Sequence, residues 1–375
     1  MDNIKIVEVW WNEMLVGKIA QTQEGVCVFE YDNFFLNEGF SISPFELPLR
    51  KGVFTANATP FEGGFGVFDD CLPDGWGLLV LDRYLRKNNI NPNSLTLLDR
   101  LSLVGTNGRG ALEFKPDRSV MTEDECMDFD KLAESARMII ESEDYNGENI
   151  DILYKKGGSP GGARPKVFVK HENKEWLVKF PAKYDNKNIG KIEYEYSLLA
   201  KKCGVEMPET KLFEGKFFGT ERFDRSKNGK IHVTSVAGLI RADYRIPCID
   251  YLHIFQICAQ LTNDLREMWK IYRLMVFNYL IENKDDHAKN FAFMFRNGEW
   301  RLTPAYDLLP SVGFNGYHTT SINDSVNPTD RDILDVAAKA GLHVPKAKNI
   351  LNEIKEIITS FNLRKLSKNE NLSPN

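Results

Sequence analysis

The sequence predicts an α+β protein in which a β-rich part precedes a helical one, and three observations carry that prediction. Short apolar–polar alternations recur between residues 4 and 240, punctuated by turn pairs such as Glu24-Gly25, Glu214-Gly215 and Asn228-Gly229. From Asp250 onward apolar residues recur at helical spacing, as at Met268, Tyr272, Met275 and Tyr279. A chain of 375 residues, 42% hydrophobic and 27% charged, has room for two or three domains, each with its own core.

Bulk properties exclude several classes. A net charge of −5 argues against general binding to nucleic acid or membranes. The six cysteines are scattered without a C-x-x-C pair, which argues against a zinc site and fits a reducing compartment. The N-terminus alternates charged and apolar residues and has no signal-peptide core, and no apolar run approaches the roughly 20 residues needed to span a bilayer. A soluble, cytoplasmic protein without a membrane partner is expected.

Taken in order, residues 4–10 and 14–19 read as strands joined at Trp11-Asn12-Glu13, and Val26–Tyr31 as a third. The glycine- and aromatic-rich segment Phe61–Gly77 carries no Lys or Arg and follows no long strand, so it reads as a turn with packed rings and not as a phosphate loop. Helices are expected over Leu78–Leu85 and Ser94–Val104, the latter capped by Asn93 or Ser94. Gly105–Gly110 then turns the chain into a strand, Ala111–Phe114. An acidic linker at Thr122–Glu125 and a helix over Phe129–Ser142 come next.

The glycine-rich stretch Lys155–Lys166 leads to strands Val167–Lys170 and Trp176–Phe180, a helix over Ile192–Cys203, and strands Thr210–Phe213 and Lys216–Phe223. Helices are expected at Tyr251–Leu261, Leu265–Ile281, Asp330–Ala340 and Pro345–Phe361, with a hairpin at Asn297-Gly298 and a loose polar tail from Leu366. The expected domains are residues 1–118, 119–240 and 241–375.

The chemistry centres on Asn283-Lys-Asp-Asp-His-Ala-Lys-Asn290. Asp285 and Asn290 stand as Asp-x-x-x-x-Asn, the spacing by which phosphoryl-transfer enzymes place a hydroxyl-orienting carboxylate and a metal-holding carboxamide. Asp307, after the hairpin, is the second candidate ligand for Mg²⁺, a cation that prefers oxygen donors. Asp286 lies next to the candidate base and serves as its comparison position. His287 reads first as a loop-packing side chain.

Upstream, Gly157, Gly158, Gly161 and Gly162 offer close backbone approach to phosphates. Lys155, Lys156, Arg164, Lys166 and Lys179 offer cations, although the loop is not a Walker A sequence. Lys179 ends a strand just before a helix carrying Glu193 and Glu195, either of which would suit a lysine-pairing role. Glu221–Arg225 reads equally as a hinge or as an ordinary charged edge strand. Together these parts predict a divergent, two-lobed protein-kinase-like fold. It would have a β-rich N-terminal lobe with an added N-terminal subdomain and an all-helical C-terminal lobe. No His-Arg-Asp precedes Asp285, and Asp307 sits in Tyr-Asp-Leu, not Asp-Phe-Gly.

The assembled motifs resemble the HipA family of serine/threonine-kinase toxins from bacterial toxin–antitoxin pairs. The resemblance rests on Leu72-Pro-Asp-Gly75, Ser159-Pro-Gly-Gly-Ala-Arg-Pro-Lys166, Glu221-Arg-Phe-Asp224, Asn283–Phe291 and Thr303-Pro-Ala-Tyr-Asp307. It implies Asp285 as catalytic residue, Asn290 and Asp307 as Mg²⁺ ligands, Lys179 on the ATP phosphates, and Glu221 and Phe223 at the adenine. The full nucleotide-contacting set it suggests adds Gly158, Ser159, Gly161, Gly162, Ala163 and His287, with Glu193 in support.

The resemblance further implies autophosphorylation of Ser159 as an off-switch and a HipB-like helix-turn-helix antitoxin. Operator DNA would be contacted mainly through that antitoxin, and an aminoacyl-tRNA synthetase would be the substrate, with dormancy and persistence as outcome. Two alternatives stand beside it. One is a small-molecule phosphotransferase, which shares the Asp-x4-Asn and second Asp. The other is a catalytically weak co-repressor on an antitoxin–DNA complex.

Overall fold

The computed structural model describes residues 4–120, 128–142, 150–157, 162–313 and 315–361. The acidic run Thr122–Glu125 and the tail from Leu366 lie outside them. The chain divides into two units: Met1–Asp185 with Phe217–Thr234 and Gly238–Arg241, and Asn186–Lys216 with Ser235–Ala237 and Ala242–Asn375.

In the first unit, strands Ile6–Trp11, Met14–Gln21, Cys27–Tyr31, Val53–Thr55 and Leu112–Lys115 form one antiparallel sheet, with the last two at its edges. Asn12 and Glu13, both at positive φ, make the two-residue turn whose twist matches a hairpin. Val7, Val9, Ile19 and Phe29 of the sheet are fully buried, and so are the rings of Phe35, Phe65, Phe68 and Phe114. The Phe61–Gly77 segment supplies two of those rings, so it is a packed aromatic turn as its composition predicts.

The helix expected to start at Ser94 starts at Leu97, and its cap is Thr96. The Asp99 amide donates to Thr96 Oγ1 at 3.1 Å and the Thr96 amide to Asp99 Oδ2 at 3.0 Å. Each side chain therefore satisfies an amide the helix leaves without a partner. Pro92–Ser94 forms a separate 3₁₀ turn. The helix Ile150–Gly157 is an addition to the sequence reading. Ile150, Leu153, Tyr154 and Gly157 are buried at i, i+3, i+4 and i+7, a signal hidden by the Lys-Lys-Gly-Gly at its end.

A second antiparallel sheet in the same unit contains Lys166–His171, Lys174–Lys179 and Phe217–Glu221. The second unit is built on helices Ile189–Lys202, Tyr251–Thr262, Leu265–Leu280, Asp330–Lys339 and Val344–Ser360. Leu265–Leu280 packs on both Tyr251–Thr262 and Val344–Ser360. It buries Ile271, Tyr272 and Met275, with the Tyr272 hydroxyl donating to the Ala347 carbonyl at 3.0 Å.

The part expected to be all-helical also carries the hairpin Ala292–Arg296/Glu299–Leu302, turned at Asn297-Gly298. A parallel pairing of Ile249–Asp250 with Thr320–Ser321 is its other β element of note. Among the described residues no helix is long and apolar enough to cross a membrane.

Candidate active-site loops

The Leu265–Leu280 helix ends at Ile281, and the backbone turns at Glu282 with φ +55. Buried polar groups fix the loop from Asn283 onward. The Asn283 side chain donates to Asn278 Oδ1 at 3.0 Å, and Asn278 Nδ2 donates to the Tyr251 hydroxyl at 3.0 Å. The Lys284 carbonyl accepts from both the amide and the hydroxyl of Thr319. The Asp285 amide donates to Ser311 Oγ at 2.7 Å.

Two adjacent carboxylates then point to opposite fates. The Asp285 side chain is 64% exposed. That of Asp286 is fully enclosed: Oδ1 accepts the amides of Thr319 and Thr320 at 3.0 and 3.2 Å, and Oδ2 lies 3.0 Å from His318 Nδ1 and 3.3 Å from the Tyr251 hydroxyl. The Thr320 hydroxyl donates to the Asp286 carbonyl. Burial, then the charge of Asp286, holds the Tyr251 phenol far above its usual range, so it is a proton donor here. Asp286 is therefore no neutral comparison for Asp285; it is the anchor of the loop.

His287 caps the short turn Ala288–Asn290, its Nδ1 accepting the Lys289 amide at 3.2 Å. The imidazole proton of the neutral ring then sits on Nε2, which lies 3.9 Å from Asp285 Oδ1. Asn290 donates its Nδ2 to the Asp285 carbonyl at 2.6 Å. The Asp307 loop is stitched to this one at two points. Tyr306 donates its hydroxyl to the Lys289 carbonyl at 2.7 Å, and Asn283 Nδ2 donates to the Asp307 carbonyl at 3.2 Å. Asp307 itself has φ +55, a backbone conformation few residues other than glycine adopt outside special sites.

Asp285, Asn290 and Asp307 thus share one pinned pair of loops. Among the described residues, no group of three or more His, Cys, Asp or Glu side chains is arranged to hold a metal ion. The oxygen donors at hand are the Asn290 carboxamide and the Asp307 carboxylate.

Gly158, Ser159 and Gly161 lie outside the described residues. Gly162, Ala163, Lys179, Glu221 and Phe223 belong to the first unit; Glu193, buried in the Ile189–Lys202 helix, belongs to the second. Lys179 ends its strand in register with Lys166; both are buried, and Lys179 Nζ sits 5.6 Å from the Phe218 ring. Glu221 pairs with Lys174 at 2.9 Å.

The segment just after Glu221 holds residues whose weight the sequence does not convey. Asp224 accepts from Arg222 Nη2 at 2.8 Å, Arg225 Nη1 at 2.9 Å and the Gly110 amide at 2.8 Å. Both arginines also donate to the Gly108 carbonyl. Burial alone would push the Asp224 carboxyl up, but the two guanidiniums hold it well below the usual range. This buried ionic cluster ties the Gly105–Gly110 turn to the Glu221–Arg225 segment. Its sequence signal was only an alternation of charges.

Comparison with known proteins shows the family. The HipA N-terminal domain model matches residues 7–115, and the HipA-like C-terminal domain model matches residues 158–361, more than half of the chain. The chain belongs to the HipA family. Two proteins of Sinorhizobium fredii bearing the name putative kinase are similar. Y4dM is 23% identical, with 96% of this chain and 91% of that protein covered; Y4mE is 24% identical, with 83% and 78% covered.

Among solved structures, HipA of the Shewanella oneidensis toxin–antitoxin system, in complex with HipB and operator DNA, aligns with a TM-score of 0.70 at 18% identity. The alignment covers 94% of this chain and 91% of that one. The fold is the α+β fold of that HipA structure.

Proposed function

We propose that this chain is an ATP- and Mg²⁺-dependent protein serine/threonine kinase acting as the toxin of a toxin–antitoxin pair. The observation that supports it most is the pinned pair of loops. An exposed carboxylate, Asp285, stands on a segment whose backbone is bonded on every side. The Asn290 carboxamide and the Asp307 loop are tied to that same segment. In this reading Asp285 orients the attacking hydroxyl and receives its proton, a contribution typically worth roughly 10²–10⁴-fold in rate.

Asn290 commits Nδ2 to the Asp285 carbonyl, so its Oδ1 is the atom offered to a cation. Oδ1 of Asn290 and the Asp307 carboxylate are hard oxygen donors, the kind Mg²⁺ takes. The bound ion would neutralise phosphate charge. Lys179 would contact the ATP phosphates, with Gly158, Ser159, Gly161, Gly162 and Ala163 closing over them, Glu193 in support, and Glu221 and Phe223 at the adenine. His287, capping the Asp285 loop, completes the nucleotide-contacting set.

Ser159 would be the autophosphorylated switch. The Shewanella assembly suggests a HipB-like helix-turn-helix antitoxin, with operator DNA held mainly through it. The substrate would be a cytoplasmic protein, with an aminoacyl-tRNA synthetase the first to try.

The test is incubation of purified protein with ATP and Mg²⁺, followed by phosphate mapping by mass spectrometry. Phosphate on Ser159 that disappears in Asp285→Ala supports the reading. Operator binding with no phosphate in any fraction sinks it in favour of a co-repressor.

A further inference from the structure

One helix of the N-terminal region, Gly75–Lys87, touches the chain on both sides of the glycine-rich strip. Upstream, it packs against the Ile150–Gly157 helix: Tyr84 stacks on Tyr154 with centroids 4.2 Å apart, and Lys87 Nζ meets Asp151 at 2.6 Å. Downstream, three hydrogen bonds leave the first turn of Gly75–Lys87 and its cap. The Gly162 amide donates to Asp74 Oδ1 at 2.5 Å, the Trp76 amide donates to the Gly162 carbonyl at 3.0 Å, and Trp76 Nε1 donates to the Lys166 carbonyl at 3.2 Å.

The approach is close enough to need glycine. Gly75 has φ +44, and a Cβ placed there would lie 2.6 Å from the Gly162 oxygen. Gly162 is itself at φ +95. The motif Leu72-Pro-Asp-Gly75, which has no charged side chain to offer a phosphate except as a repellent, is used here to grip another loop's backbone.

We propose that the Asp74-Gly75-Trp76 turn is a positioning element of the nucleotide site. It fixes Gly162 and Lys166, while the body of its helix fixes residues 150–157. The position of the Gly162 and Lys166 backbone is then set by the N-terminal region. Asp74 acts through Gly162 and does not touch the nucleotide. The proposal rests on the kinase reading for its link to ATP.

The test compares Asp74→Ala and Asp74→Asn with wild type in the full chain, measuring KM and kcat for ATP and hydrogen exchange across residues 162–166. Loss of one hydrogen bond to a charged acceptor should raise the ATP KM about tenfold in Asp74→Ala. Over the same change kcat should stay within about threefold, and exchange of the Gly162 segment should accelerate. Asp74→Asn keeps an accepting oxygen and should restore most of the affinity.

An unchanged KM, a loss confined to kcat, or unaltered exchange in Asp74→Ala would overturn the proposal. Wild-type protein that turns over no ATP would count against the kinase reading instead, and the exchange comparison would then decide alone whether the turn holds Gly162.

Discussion

Two buried regions of this molecule are built on opposite principles. Under the Asp285 loop the interior is polar: Asp286, His318, Tyr251, Asn278 and Asn283 are enclosed and bonded to one another. Under the N-terminal sheet it is aromatic. Phe29 packs on Tyr31, Phe65 and Phe68, and Phe68 on Phe114, with ring centroids between 4.9 and 6.4 Å apart.

Hydrogen bonds are directional, so a closed polar network fixes atoms in place and loses heavily when one member is removed. Apolar burial is non-directional and scales with area, so rings supply stability without setting any one atom's position. In the proposed kinase the polar interior lies where a reactive carboxylate has to be aimed; the aromatic one lies under a sheet.

The largest effects should separate the two faces of the Asp285 loop. Asp285→Ala is expected to lower phosphate transfer by roughly 10²–10⁴-fold, while urea unfolding stays within about 0.5 kcal/mol of wild type, because the side chain is exposed. Asp286→Ala should act on stability first. Removing a carboxylate that accepts two amides and meets a histidine and a tyrosine should cost about 3 kcal/mol of stability. If Asp286→Ala unfolds like wild type, the polar interior does not anchor the loop.

Acid should find the aromatic region through a buried imidazole. His232 packs beside Phe40, and its Nε2 meets the Ile42 carbonyl at 2.8 Å, so that nitrogen carries the proton of a neutral ring. Burial pulls its pKa from 6.5 to about 4, against the smaller opposing effects of the Ile42 carbonyl and Asp70. Between those values the unfolded chain binds the proton and the folded chain does not. Stability is therefore full above pH 6.5 and falls as pH drops toward 4. From pH 7 to pH 5 the loss should be about 2 kcal/mol. Urea titrations at the two pH values check it: the gap should shrink in His232→Gln, and an equal gap in both proteins would remove His232 as its cause.

The same contrast explains how legible each region was. The Asp285 loop stood out because Asp-x4-Asn is an interval that phosphoryl-transfer enzymes use, and it is plain in the sequence. Asp286 could not be given its role, because its partners His318, Thr319 and Thr320 lie over thirty residues away and share no periodicity with it. The strands and long helices were readable from alternation and helical spacing. The Asp224 cluster and the Asp74 turn were not, since each is defined by backbone groups of Gly108, Gly110 or Gly162 that leave no mark on composition.

A small error of the sequence reading gives the finest test. Ser94 and Thr96 are both plausible caps for the helix that ends at Val104, and position alone does not choose between them. The reciprocal bonds do: Thr96 and Asp99 each satisfy the other's amide, whereas the Ser94 hydroxyl donates to the Asn91 carbonyl within its own 3₁₀ turn. A cap of this kind contributes about 1 kcal/mol. Thr96→Ala should lower the unfolding free energy by about that much, and Ser94→Ala, whose hydroxyl is exposed, by less than about 0.5 kcal/mol. Because Asp99 Oδ1 also accepts the Ile4 amide, Asp99→Ala should cost more than Thr96→Ala. A cost for Asp99→Ala no greater than that for Thr96→Ala would mean the box acts on its helix alone and leaves the entry to the Ile6–Trp11 strand untouched.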